Sequence, residues 1–465
     1  MIRVHAGVAA AMAAGLDQIR AEAEIPGEFP AEVLEAAERA AAKPIGDAHV
    51  DRTSLRFATL DPESSIDLDQ AFAIDVVGSD IILHYAIADV GWFVQPGDPL
   101  DREAYRRGVT VYLPDRRATL YPPVLSEGAA SLLPHVDRPA VVFTVRVDET
   151  GESTIDGVER ALVRSEAKLA YDAVTPADLP TGFEELHRRI VVAEARRGAP
   201  RVEFPEQEIS IDDNGDYSLS FRPRLASEEQ NAAMSLATNL AVAKFLLAAR
   251  TGLFREMPDV GERRMRRLRN SARAFGLKWP AEMPLDRFER SLPRDDPRTS
   301  AFLLAVRRAA GGASYAPFTP GHTPWHSAMA ATYAQATAPL RRLQDRYVIE
   351  AALAIAAGKP VPEDIALSFD RLPKAMAVAE QRAGKAEREA IALTEAVVLS
   401  DCVGQTFQGL VVDESEYGVD VQIDQPAVLV RVSAKGVDPG EEVSLRLISV
   451  DIESRRVEFQ RVSRE

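Results

Sequence analysis

Residues 57–72, Phe-Ala-Thr-Leu-Asp-Pro-Glu-Ser-Ser-Ile-Asp-Leu-Asp-Gln-Ala-Phe, carry three aspartates, Asp61, Asp67 and Asp69, in one short segment with apolar flanks. Carboxylates held close together repel one another unless a cation lies between them. Hard oxygen ligands without neighbouring thiols favour magnesium or manganese over zinc. The segment therefore predicts a divalent-cation site. A solvated acidic turn is the alternative if no other part of the chain supports such a site.

The spacing of the aspartates predicts how their side chains point. In an extended backbone, residues two apart face the same side, so Asp67 and Asp69 should project together while Ile66 and Leu68 face the opposite way. A turn over residues 62–65 would let the first aspartate of the segment return to the other two. All three carboxylates should therefore meet.

Further motifs follow the aspartates in a fixed order. They are His-Tyr-Ala-Ile-Ala-Asp-Val at 84–90, Leu-Asp-Arg-Glu-Ala at 100–104, Val-Thr-Val-Tyr-Leu-Pro at 109–114, Ala-Ser-Leu-Leu-Pro at 130–134, and Thr-Ala-Pro-Leu-Arg-Arg at 337–342. His326 and Tyr333 precede the last motif. In order and spacing, the series resembles the catalytic domain of the ribonuclease II/ribonuclease R family. One short motif often matches by chance, whereas an ordered series over several hundred residues does not.

The resemblance implies a fold and an activity. The fold would be α+β in three parts: a small N-terminal helical module over 1–48, in which a helix-turn-helix is one option, a mixed α/β RNB-type catalytic domain over 49–402, and a C-terminal five-stranded OB barrel of the ribosomal S-one type over 403–465. The activity would be a 3′-to-5′ exoribonuclease that hydrolyses single-stranded RNA to nucleoside 5′-monophosphates. Its cofactor would be Mg²⁺, with Mn²⁺ as a substitute. The OB-type domains that usually precede this catalytic domain do not fit residues 1–48, which are short and poor in strand signals.

The resemblance also assigns roles to residues of this chain. The metal site would comprise Asp61, Asp67, Asp69 and Gln70, with Asp67, Asp69 and Arg341 as the catalytic residues. Arg341 would brace the scissile phosphate, because its planar guanidinium suits bidentate phosphate contacts. The RNA would contact residues spread along the chain, namely Tyr112, Tyr171, Glu229, Arg341, Arg342 and Glu387.

Each RNA-contacting residue has a structural alternative. Arg341 and Arg342 would form a surface pair if a helix began near Pro339, because Pro is favoured in the first helical turn. A single tyrosine by default packs in a core or at its rim. Glu229 stands about one turn earlier than the ribose-binding glutamate of the family. Glu387 lies on a predicted long helix, where it could be one side of an i,i+4 ion pair.

Gln70 supports a rival function from another class. The family motif usually has a fourth aspartate at this position, and a neutral amide cannot replace the charge of a carboxylate ligand. The rival is a catalytically silent RNA-binding protein that keeps the fold. We favour the enzyme because the three aspartates, Tyr112 and Arg341 are all retained.

Composition restricts the cellular compartment and the kind of partner that we expect for the protein. A formal charge of −16 over 465 residues argues against a protein that coats nucleic acid, although it permits an internal channel. The single cysteine, Cys402, cannot form an internal disulfide, and a reducing cytoplasm fits. No apolar stretch is expected to span a membrane. We expect a cytoplasmic monomer whose partner is single-stranded RNA.

Periodicity predicts the elements. Strands are predicted at 71–77, 81–88, 140–147 and 157–163, and five short ones at 406–412, 418–423, 427–432, 442–451 and 456–460. Helices are predicted for two short segments before residue 48, and at 183–197, 227–249, 262–275, 298–309, 339–357 and 371–398. The pattern is that of a mixed body followed by a small barrel.

Overall fold

The computed structural model of the protein describes residues 6–199, 206–211, 217–222, 224–293, 296–309, 311–415, 418–433, 436–438 and 440–462. Two helices open it, α1 (Ala6–Glu22) and α2 (Ala31–Ala41), which confirms the predicted N-terminal pair. Helix α2 is amphipathic and buries Val33, Ala36 and Ala37, so it packs on the main core.

One sheet organises the first half of the chain. Its strands are β1 (Val50–Asp51), β2 (Phe57–Asp61), β3 (Gln70–Val77), β4 (Asp80–Ala88), β5 (Asp137–Val147) and β6 (Ser153–Ala170). Strands β2 to β5 follow one another in space, and the long β6 pairs antiparallel with β5 along its first part and parallel with β2 at its end. The sheet therefore closes on itself, and both the β2 end and the β3 start lie at one rim.

The chain also contains helices, of which those between residues 262 and 309 form a separate apolar cluster with Val412, while the others join the apolar core of this sheet or pack beside it. They are α3 (Val90–Phe93), α4 (Pro99–Arg107), α5 (Phe183–Arg197), α6 (Ala226–Ala248), α7 (Glu262–Ala274), α8 (Leu285–Ser291), α9 (Pro297–Ala309), α10 (Leu343–Ala356) and α11 (Glu363–Leu399). Helices α6 and α10 both pack on β6, and their buried residues join the sheet in the largest apolar cluster. This apolar cluster supports the residues at the rim of the sheet.

Pairs of short strands lie in the middle of the chain, and a five-stranded barrel follows them at the C-terminal end of the described residues. The hairpin β7 (Glu206–Ile211) and β8 (Tyr217–Arg222) packs on α11, and β9 (Leu253–Glu256) pairs with β10 (Ser314–Pro317). The last five strands are β11 (Thr406–Ser415), β12 (Gly418–Ile423), β13 (Val428–Val432), β14 (Glu442–Asp451) and β15 (Arg456–Arg461). Their order is β13-β12-β11-β14-β15, and the two outer strands contact each other. The predicted five-stranded OB-type barrel is confirmed.

The helix predicted from residue 339 begins later, at Leu343. The backbone N–H of Leu340 is donated to the Asp69 carboxylate at 2.7 Å, and Arg342 is extended, with φ −136° and ψ 123°. The segment before the helix is therefore held by contacts to another part of the chain. The alternative in which Arg341 and Arg342 are a pair on the surface of that helix is wrong.

Helix α6 corrects the expectation about membrane-length segments. By length and composition alone it could cross a membrane, with a mean hydropathy of 1.2 in its most apolar window. Over half of that window, 56%, is buried inside the protein. Its apolar residues pack on the sheet, as those of a core helix do.

Candidate functional site

The three aspartates lie at one rim of the closed sheet, where they line the same cavity. Asp61 ends β2 and Asp69 directly precedes β3, and the antiparallel pairing of β2 with β3 brings both ends back together. The predicted turn is present, with the Ser65 N–H donated to the Pro62 carbonyl at 3.0 Å. The segment between the strands thus carries Asp67 to the same rim.

The flanking apolar residues correct part of the extended-strand prediction. Leu68 is fully buried, and its N–H is donated to the Ser131 hydroxyl at 2.9 Å. Ile66 is 42% exposed instead of sharing the buried side with Leu68. Residues 62–69 form a loop, not a strand, so alternation does not hold there.

Asp69 is the most buried of the three carboxylates, at 4% exposure. One oxygen accepts the Leu340 N–H at 2.7 Å and the other pairs with Arg341 Nε at 3.1 Å. Burial raises the pKa of Asp69 to about 7, although the Arg341 guanidinium opposes that rise. The structure therefore brings two residues together that stand 272 positions apart in the sequence.

Asp61 is destabilised as an anion in the same way. Burial raises its pKa to about 7, with Arg341 lowering the pKa and the carboxylates of Asp69 and Asp67 raising it further. Among the residues that the structure describes, no hydrogen bond or ion pair engages the Asp61 carboxylate. A bound cation would therefore stabilise the charge of Asp61 more than that of Asp67 or Asp69.

Asp67 is engaged on both oxygens. Arg117 Nη1 lies 2.6 Å from Oδ1, and the Tyr112 hydroxyl donates to Oδ2 at 3.3 Å. Tyr112 is 53% exposed, so most of its ring is free to meet a ligand.

Gln70 is tied into the protein by both ends of its amide. Its oxygen accepts the Tyr85 hydroxyl at 2.5 Å, and its nitrogen donates to the Thr337 carbonyl at 2.5 Å. A fourth aspartate in place of Gln70 would have no N–H to offer that carbonyl. Gln70 therefore joins the start of β3 to the segment that carries Arg341, while its role as a metal ligand stays a prediction.

A polar stripe on α6 holds the segment before Arg341. Ser235 Oγ lies 2.8 Å from Thr337 Oγ1, and Asn239 Oδ1 accepts the Ala336 N–H at 2.9 Å. Asn239 Nδ2 also donates to the Tyr333 hydroxyl at 3.2 Å. These contacts fix the backbone that presents the arginine to the aspartates.

Two adjoining cavities open at the rim, one of about 1000 Å³ and one of about 430 Å³. The smaller contains the three aspartates. Six residues line both cavities: Ser64, Gln70, Tyr112, Tyr171, Asn231 and Arg341. The larger one also reaches Arg342 and Glu387. A continuous space thus runs from α11 to the aspartates, and it suits an elongated ligand.

The predicted RNA-contacting residues divide into two groups. Tyr112, Tyr171, Arg341, Arg342 and Glu387 line the larger cavity. Glu229 lines neither cavity, whereas its neighbour Glu228 lies on the wall of the larger one. The Glu228 carboxylate accepts the Leu225 N–H at 2.8 Å, so it also caps α6.

The i,i+4 alternative for Glu387 gains no support. Its helical neighbours are engaged elsewhere, Glu380 with Arg255 at 2.9 Å and Arg382 with Glu24 at 3.0 Å. The Glu387 side chain is exposed on the cavity wall. The role of Glu387 as an RNA contact stays a prediction.

Sequence reasoning missed two residues of the site. Asn231 donates to the Tyr171 hydroxyl at 2.7 Å and to the Leu60 carbonyl at 3.1 Å. A signal existed, because Asn231, Ser235 and Asn239 repeat every four residues in an otherwise apolar helix. Arg117 carried no such signal, since its contact with Asp67 spans 50 positions.

The donor set suits a hard divalent cation only in part. In the described ranges, no group of three or more His, Cys, Asp and Glu side chains is arranged to surround one ion. Two carboxylates with raised pKa values at one rim nevertheless offer oxygen ligands whose charge a cation would stabilise. Mg²⁺ commonly takes one or two carboxylates and completes its shell with water and substrate phosphate. The residues present fit that manner of binding.

Family models match most of the chain. A model described as RNB domain matches residues 49–355, and one described as RNase II-type exonuclease C-terminal S1 domain matches residues 405–462. The two matches agree with the mixed body and the terminal barrel.

Individual relatives point the same way. Ribonuclease R of Aquifex aeolicus is 26% identical over 452 residues, which cover 87% of this chain and 64% of that protein. The fold matches that of Mycoplasma genitalium RNase R in complex with ribose methylated single-stranded RNA, with a TM-score of 0.88 and 19% identity over 97% of this chain and 78% of that one. It also matches yeast Ssd1, described as a pseudonuclease, with a TM-score of 0.68 and 16% identity over 91% of this chain and 54% of that one. The chain spans 54–64% of the length of the first curated relatives.

Proposed function

The chain belongs to the RNB-domain family, and on that premise we propose that it is a metal-dependent 3′-to-5′ exoribonuclease acting on single-stranded RNA. The observation that carries the proposal is the convergence of Asp61, Asp67 and Asp69 with Arg341 at the inner end of a continuous cavity. Products would be nucleoside 5′-monophosphates. We infer Mg²⁺ as the cofactor, with Mn²⁺ able to replace it.

The phosphate would be bound by Arg341. Asp69 engages Arg341 Nε, and within the described residues no protein partner occupies its two Nη atoms. Those donors remain for the oxygens of a phosphodiester. Because the Leu340 N–H also binds Asp69, the guanidinium is oriented by the fold before RNA enters.

Hydrolysis then requires a water aligned with the phosphorus and the leaving oxygen. A divalent cation held by Asp61 and Asp69 would activate that water and polarise the phosphate. Attack of the water oxygen on phosphorus forms one P–O bond and breaks the bond to the 3′-oxygen of the preceding nucleotide. The released nucleotide keeps its 5′-phosphate, and the shortened RNA ends in a 3′-hydroxyl.

The terminal nucleotide would be held by the tyrosines of the cavity. Tyr112 offers a largely exposed ring for stacking, and its hydroxyl is fixed by Asp67. Tyr171 accepts a hydrogen bond from Asn231, which leaves the Tyr171 hydroxyl proton available to the sugar. A 2′-hydroxyl can both donate and accept, so this pair could distinguish RNA from DNA.

The direction of digestion gives the direct test. One oligoribonucleotide labelled at the 3′ end and a matched one labelled at the 5′ end are digested side by side with Mg²⁺. We expect the 3′ label to appear at once as a mononucleotide, while the 5′ label remains on progressively shorter RNA. Early release of the 5′ label as a mononucleotide would refute the proposal.

The silent RNA-binding protein remains the second candidate, and two observations favour keeping it. Gln70 stands where the family motif usually has an aspartate, and the fold also matches a pseudonuclease. Titration of Mg²⁺ and Mn²⁺ against RNA hydrolysis separates the two. Tight RNA binding with no cleavage at any concentration of either ion would establish the silent binder.

A further inference from the structure

A loop of residues 111–118 brings two side chains to one aspartate. Its end residues form an antiparallel bridge with backbone hydrogen bonds of 2.8 and 2.9 Å. Tyr112 and Arg117 are the next residues inward from that bridge, and both reach Asp67, at 3.3 and 2.6 Å. The loop therefore fixes how the tyrosine and the arginine share one carboxylate.

Arg117 is itself anchored on its other side. Its Nη2 lies 2.8 Å from Glu127 Oε1, so the guanidinium bridges Glu127 and Asp67. The side chains of all three are largely buried, with exposed fractions of 24% for Arg117, 10% for Asp67 and 23% for Glu127. Ion pairs this shielded from water are weakened much less by salt than exposed ones. The bridge therefore holds Arg117 inside the site.

The charges of the aspartates are balanced unequally. Arg341 pairs with Asp69 and Arg117 pairs with Asp67, whereas no described residue pairs with the Asp61 carboxylate. A divalent cation that approaches Asp61 and Asp69 would meet the positive charge of Arg117 across the same small cavity, in addition to that of Arg341 beside Asp69. That charge opposes cation binding until a phosphate brings compensating negative charge.

We propose that Arg117 is a positioning residue that makes cation binding depend on RNA. It holds Asp67 toward the hydroxyl of Tyr112, and its charge keeps the aspartates from binding a divalent cation tightly before RNA arrives. The inference rests on the proposed function. It assigns to Asp67 an orienting role, distinct from the cation-holding role of Asp61 and Asp69.

The first test measures Mn²⁺ binding to the RNA-free protein by electron paramagnetic resonance of the unbound ion. We expect Arg117→Met to bind Mn²⁺ at least about tenfold more tightly than the unaltered protein, because a repelling charge is removed. Arg117→Lys keeps the charge and should stay within about threefold of the unaltered protein. Unchanged Mn²⁺ affinity in Arg117→Met would overturn the proposal.

Arg116 provides the matched control. It is the adjacent arginine, but its side chain is 64% exposed and pairs with Asp17 at 2.9 Å, away from the aspartates. Arg116→Met removes the same formal charge from the same loop and should leave Mn²⁺ affinity within about twofold, because solvent screens exposed charges. An equal gain in both variants would mean that net charge, not the position of Arg117, is responsible.

Two further measurements separate a positioning role from other roles. Arg117→Met should lower kcat for cleavage by about tenfold or more, while affinity for a non-cleavable phosphorothioate RNA stays within about threefold. Loss of RNA affinity by more than about tenfold would make Arg117 an RNA contact instead. Glu127→Gln loosens the bridge but keeps Arg117, so a tenfold gain in Mn²⁺ affinity there would indicate loop disorder rather than charge.

Failure of this inference can be told apart from failure of the proposed function. The Mn²⁺ titration without RNA does not depend on cleavage, so the inference stands or falls on it even if the protein cuts no RNA. Thermal unfolding of each variant checks the fold, and Arg117→Gln replaces Arg117→Met if the latter is unfolded.

Discussion

Replacement of Asp69 by asparagine should stabilise the protein while abolishing its activity. The Asp69 carboxylate is almost fully buried, and burial raises its pKa from 3.8 to about 7. The asparagine side chain would keep an oxygen for the Leu340 N–H but carry no charge. The fold would then no longer bear the free energy needed to keep a buried carboxylate ionised.

The size of the effect follows from the two pKa values. A carboxyl group whose folded pKa is raised contributes stability below the unfolded pKa, and this contribution is lost as pH rises through the folded pKa. At about 1.4 kcal/mol per pKa unit, a rise from 3.8 to about 7 corresponds to about 4 kcal/mol at pH 8. At pH 5 the difference falls to about 2 kcal/mol, because the folded protein already binds the proton.

The assay is urea unfolding of both proteins at pH 5 and pH 8 in the presence of EDTA, with RNA cleavage measured separately at pH 8 with Mg²⁺. We expect the variant to gain stability relative to the unaltered protein as pH rises, and cleavage to fall about 100-fold or more. Asp401→Asn, at an exposed position, should change the pH dependence by less than about 0.5 kcal/mol. A variant that is less stable than the unaltered protein at pH 8 would refute the burial argument, and retained cleavage would remove Asp69 from the catalytic site.

Three further predictions concern the neighbours of Asp69. Gln70→Ala should lower the free energy of unfolding by about 1–3 kcal/mol, measured by urea unfolding, because the buried Tyr85 hydroxyl loses its acceptor. Gln70→Asp should lower the Mg²⁺ concentration needed for half-maximal cleavage. If Gln70→Asp instead converted an inert protein into an active nuclease, the silent-binder alternative would be right. Arg342→Met should destabilise the fold by about 3–5 kcal/mol, since the fully buried carboxylate of Asp345 would be left uncompensated, and an unchanged free energy of unfolding would contradict this. Arg341→Met should abolish cleavage and should lower stability more at pH 8 than at pH 5, because the buried Asp69 carboxylate loses its ion-pair partner; retained cleavage would remove Arg341 from the catalytic site. A DNA oligomer should bind but be cut poorly, and Tyr171→Phe should reduce the ratio of RNA to DNA cleavage; equal turnover of RNA and DNA by the unaltered protein would remove Tyr171 from sugar recognition.

The aspartate loop shows why a neutral residue at position 70 is compatible with an ordered site. The amide donates to one backbone carbonyl and accepts from one tyrosine hydroxyl, and a carboxylate could serve only the second contact. Gln70 therefore exchanges a negative charge for a link between two distant segments. Whether that exchange preserves cleavage is what the Gln70→Asp variant measures.

The sequence by itself determined the local elements and the order of the motifs. Helix α5 lies where it was predicted, at Phe183–Arg197, and the last five strands match within a few residues. These elements follow from periodic apolar positions and from turn residues, which act over a few residues of chain. The aspartate spacing and the Arg341 motif likewise lie in short continuous segments, so they indicated the family without knowledge of the fold.

Only the tertiary structure decided which groups share a charge or a hydrogen bond. The bond from Gln70 to the Thr337 carbonyl spans 267 positions, and that from Leu340 to Asp69 spans 271. Helix α10 begins at Leu343, although local signals favoured Pro339, because the preceding backbone donates N–H groups to the carboxylates of Asp69 and Asp345. Burial and ion pairing depend on such tertiary contacts, and no local pattern encodes them. For the same reason the ion pair between Arg117 and Asp67 could be identified only from the tertiary structure, in which the two residues lie close together.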